Sequence, residues 1–90
     1  MDPVVIEFTE RDGKTVYEMG MTIDDVLQDT RHGCPVEMKD VASYKEVPLT
    51  EARELFDHTL YQKAYDCVTD PAKQNVYFMG SATQQKPPYR

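Results

Sequence analysis

Val4-Val5-Ile6-Glu7-Phe8, then Arg11-Asp12-Gly13-Lys14, then Thr15-Val16-Tyr17-Glu18-Met19: the reading of this run decides the fold. Two segments rich in β-branched and aromatic residues flank an Asp-Gly pair, and that pattern predicts a β-hairpin. Alternation puts Val4, Ile6 and Phe8 on one face of the first strand. On the second strand, Val16 and Glu18 oppose Tyr17 and Met19.

Working outward, the next signals are helical. Thr22 has the character of an N-cap, and Asp25 stands three residues later at the capping-box spacing. Met21 and Val26 fit a hydrophobic staple around that cap. Asp24 and Asp25 fall in the first turn, where the helix dipole favours anions. Ile23, Val26, Leu27 and Thr30 make a narrow inward stripe, and Gly33 is the expected stop after Arg31 and His32. Residues 34–49 speak less clearly. Val36, Met38 and Val41 suggest a strand after Cys34-Pro35. Ala42 to Pro48 reads as a loop or a second short strand, with Tyr44 and Val47 pointing one way.

Thr50 to Val68 reads as one long helix with Thr50 as its N-cap. At 100° per residue, Ala52, Phe56, Leu60 and Cys67 share a stripe, with Leu55, Thr59 and Ala64 at its edges and Lys63 snorkelling from within it. Thr69-Asp70-Pro71 ends the helix. Asn75 to Met79 is a last strand closed by Gly80, and residues 83–90 are expected to form a flexible tail. The order β-β-α-β-α-β predicts an α+β domain over residues 1–82. It would be a small two-layer sandwich, with a mainly antiparallel sheet of about four strands and two helices on one face.

A chain of 90 residues makes one domain. Sixteen acids against ten bases give a net charge of −6. The excess is local: residues 2–29 hold eight acids and two bases, and the rest of the chain holds eight of each. An acidic surface repels phosphate, so direct nucleic-acid binding is not expected. A partner protein with a basic surface is the natural complement. There is no charged-then-apolar leader and no apolar run near ~20 residues, so neither a secretion signal nor a membrane span is expected. Cys34 and Cys67 read as reduced thiols of a cytoplasmic protein.

Few residues offer chemistry. His58 and Cys67 are nine positions apart, which on one helix is 900° of rotation and about 13 Å of rise, so one metal ion cannot take both. Cys34 follows a helix C-terminus, whose negative end raises a thiol pKa. No nucleophile elbow, phosphate loop or dinucleotide fingerprint is present. Asp25 and Asp29 share a helix face, but a capped, solvated first turn explains most of that acid. No cofactor, metal or catalytic residue is expected, and the chain reads as a binding protein rather than an enzyme.

The candidate contact residues form two sets. Tyr61 and Tyr65, flanked by Glu54 and His58, lie far round the long helix from Phe56 and would be exposed anchors for a partner. Glu10, Asp12, Asp24, Asp25 and Asp29 make up the acidic set. The leading expectation is a small inhibitor or adaptor that occupies a surface of a larger protein, of the kind that viruses also encode. The alternatives are a nucleic-acid mimic filling a basic groove, a small enzyme using His58 or His32, and a structural subunit pairing through a sheet edge.

Overall fold

The computed structural model describes residues 2–33, 36–73 and 75–81. Cys34, Pro35 and the predicted tail lie outside them. The described residues form an α+β domain around a four-stranded antiparallel sheet. The strands are β1 (Val4–Glu10), β2 (Thr15–Gly20), β3 (Val41–Val47) and β4 (Val76–Gly80), in the order β3-β1-β2-β4. Three α-helices join them: α1 (Ile23–Arg31), α2 (Leu49–Leu55) and α3 (His58–Thr69).

The hairpin forms where the sequence places it, with Val5 opposite Met19 and Phe8 opposite Val16. Its turn closes through Gly13, at φ 92°, while Asp12 Oδ1 accepts from the Lys14 amide at 3.0 Å. That backbone conformation is open to glycine at little cost. The cap of α1 also matches its sequence signal: the Asp25 amide donates to Thr22 Oγ1 at 3.0 Å.

Several expectations are corrected. The sandwich of two layers with helices on one face becomes three layers. Val5, Met19 and Val47 belong to a core shared with Ala52, Phe56, Tyr61, Ala64 and Val68 of the α2–α3 segment. Ile6, Phe8 and Val16 belong to a second core with Val26 of α1. Neighbouring residues of a strand point to opposite faces, so α1 covers one side of the sheet and α2 with α3 the other. Both faces of β1 and β2 carry apolar residues because helices cover both.

The single helix over 50–68 is two helices. Phe56 is extended (φ −120°, ψ 158°) and Asp57 caps α3, accepting from the Leu60 amide at 2.8 Å. Phe56 and Tyr61, at the two staple positions of this cap, are both buried. The break resets the helical phase. The buried stripe of α3 is Tyr61, Ala64 and Val68, while Cys67 is half-buried and Lys63 is exposed. Thr50 lies inside α2 and caps nothing.

The predicted strand at 36–41 is a single 3-10 turn, Met38–Asp40, and the strand begins at Val41. Arg11 ties the turn to the hairpin, donating from Nε to the Lys39 carbonyl and from its amide to the Asp40 carbonyl, both at 2.9 Å. Tyr44 and Val47 point to opposite faces. Tyr44 stands over Phe8 on the α1 side, and Val47 is in the other core.

Candidate functional site

The acids of residues 2–29 do not form one surface. Glu10 and Asp12 sit at the hairpin end, lining a shallow cavity with Arg11 and Asp40. Lys14, Arg31 and Lys39 stand at the same end, so bases offset those acids. Asp24 and Asp25 lie in the first turn of α1, which follows the far end of β2. Glu7 is on the α2–α3 side, accepting from Tyr17 Oη at 2.5 Å, with Lys45 Nζ 3.9 Å away. Burial, then the Glu7 carboxylate, pushes the Tyr17 hydroxyl up to about 12. Glu18 is inside the protein, and Asp29 reaches it from α1.

The tyrosine set also changes. Tyr61 is 8% exposed and is a core residue, not an exposed anchor. Its ring lies under Arg53, 5.8 Å from the guanidinium carbon, and stacks with Tyr65 at 6.2 Å. Burial raises the Tyr61 hydroxyl pKa, and Arg53 partly offsets this. Tyr65 is half-buried, while Glu54 and His58 are exposed. The expected four-residue face is thus reduced to Tyr65, His58 and Glu54.

His32 is the C-cap residue of α1, and its Nδ1 lies 2.9 Å from the Gln28 carbonyl. A carbonyl only accepts, so Nδ1 carries the proton in this contact. Among the described residues, no group of three or more His, Cys, Asp or Glu side chains is placed to hold a metal ion. None of the described helices is long and apolar enough to cross a membrane.

Two features went unread in the sequence. The first is the β3 edge. Ala42, Ser43, Tyr44, Lys45 and Glu46 are all exposed, and among the described residues β1 is the one strand beside them in the sheet. Tyr44 is 46% exposed, with its ring 6.0 Å from that of Phe8. Alternate backbone N–H and C=O groups of such a strand point away from the sheet, as a template for another strand. At the other edge, Phe78 is 52% exposed. The second feature is Glu18, which faces α1 from β2 and is 1% exposed. Burial, then the nearby Asp29, pushes its carboxyl up to about 9. Strand alternation put Glu18 beside Val16 from the start. Only a helix on that face turns the position from surface to interior.

Comparison with protein-family models, with curated proteins and with solved structures finds no match to this chain.

Proposed function

We propose that this chain is a protein-binding module that occupies a surface of a larger protein, and that it does so through the open edge of β3. One observation carries the reading: five consecutive residues, Ala42–Glu46, are exposed on a strand at the sheet's edge, with Tyr44 among them. An extended segment of the partner adds there as a further strand. Its backbone groups supply the hydrogen bonds, and Tyr44 supplies a rigid aromatic contact. The net charge of −6 favours a basic segment. An inhibitor or an adaptor both act in this way. The proposal includes a cytoplasmic setting, supported by two cysteines set far apart in a short chain.

Nucleic-acid mimicry loses ground, because the acids are dispersed over both ends and the interior rather than aligned on one surface. The test is affinity capture from the native host, repeated with substituted chains whose folding is first checked by circular dichroism. Tyr44→Ala is expected to lower recovery of the captured protein at least tenfold, while Tyr65→Ala and His58→Ala leave it unchanged. Loss of capture with Tyr65→Ala but not Tyr44→Ala would move the contact to the α3 face and overturn the β3 assignment.

A further inference from the structure

α1 meets the sheet at two contrasting places. At Gly20 the fit is steric: a Cβ there would stand 2.6 Å from Val26 Cγ2, so the helix packs directly on backbone. Two residues back along β2, on the same face, the sheet presents Glu18. This side chain is buried, and its Oε1 has no hydrogen-bond partner among the described residues. The polar group nearest to it is the Asp29 carboxyl of α1, which disfavours its charged form.

The neighbouring strands give Glu18 no counter-charge. Its partners are Ile6 on β1 and Phe78 on β4, both apolar. On α1, Asp25 lies one turn before Asp29 and adds acid rather than base, as does the exposed Asp24. Arg31, in the last turn, is exposed and reaches Gln28 at 3.5 Å. A buried carboxyl beside a second acid and without a base does not ionise cheaply, so Glu18 holds its proton.

We propose that the Glu18–Asp29 pair is a proton-held latch: α1 stays seated while the pair keeps its proton, and it lifts locally from Ile6, Phe8 and Val16 when the proton leaves. The sign follows from where Glu18 sits in each state. Seated, its pKa is about 9; lifted into water, it returns to 4.5. The lifted state therefore holds fewer protons between those limits. Seating is strongest below pH 4.5, weakens as pH rises towards 9, and changes no further above that. Within that window the lifting equilibrium grows by about tenfold per pH unit.

The test is amide hydrogen exchange by NMR on the full chain across this pH range, with each rate divided by that of an unstructured amide. Amides of Val26–Arg31 are expected to be less protected than those of Tyr61–Val68. Their protection should fall by about tenfold per pH unit. In Glu18→Gln, which carries a permanently neutral isostere, the α1 profile should be flat. Carbon-13 titration of the Glu18 carboxyl in the unaltered chain reads the pair directly, whatever the variant does to folding. A Glu18 carboxyl titrating in the ordinary acid range overturns the latch. So does α1 protection that ignores pH, or that equals α3 protection at every pH.

Discussion

The two faces of this sheet share their strands and little else. On the α2–α3 side, Val47, Val5, Met19 and Tyr77 stand in one register row across all four strands, and two helices cover it. On the α1 side, the next row reads Glu46, Ile6, Glu18 and Phe78, with both ends exposed and a carboxyl in the middle. One nine-residue helix, with Val36 beyond its end, serves that face. The first face gains stability from continuous apolar burial. The second retains a buried polar group and leaves Tyr44 and Phe78 uncovered. A small domain has little stability to spare, so such a departure marks where recognition or motion belongs.

Substitutions that act on one face and not the other break or sharpen this contrast. The largest expected effect is Met19→Ala, which empties the continuous row. A loss of about 2–5 kcal/mol is expected in urea denaturation, felt equally by amides of every element. Glu18→Gln should act in the opposite direction, stabilising the fold by on the order of 3 kcal/mol at pH 7. The gain should vanish near pH 4, where the native acid is protonated in folded and unfolded chains alike. A destabilised Glu18→Gln at pH 7 would show that the buried carboxyl is well satisfied, and the two faces would then be alike.

Gly20→Ala tests the steric half of the α1 contact. Overpacking against Val26 should cost about 1–3 kcal/mol, and NMR shift changes should concentrate in α1 and Val76. Asp57→Ala is the smallest expected change, about 1 kcal/mol from the lost cap. It should lower the protection of the first turn of α3 while leaving α1 unaltered. If shifts spread to α1, the faces are coupled more closely than their separate cores imply.

Local grammar made much of this molecule legible. The hairpin, its Asp-Gly turn, the Thr22 cap and the last strand each depend on a few adjacent residues, and each stands where its residues put it. The 49–69 segment was harder because an apolar stripe survives a phase break. Ala52 and Phe56 fit one unbroken helix, and Asp57 reads as an ordinary polar residue until its carboxylate is seen capping Leu60. That one break turned Tyr61 from an expected anchor into a core side chain. The candidate site was less legible still. Tyr44 stands out in its segment as an aromatic, but an edge strand is a property of the sheet order and not of its own seven residues.

By itself the sequence determined the hairpin, the first helix, the last strand, the turn chemistry and the overall acidity, since these follow from short-range sterics, capping and charge count. The tertiary structure alone decided that α1 crosses to the opposite face, that β3 ends up at an edge, and that Glu18 is enclosed. These outcomes depend on which layers meet, and apolar burial is non-directional: an alternating strand says that it has two faces, not what will cover them.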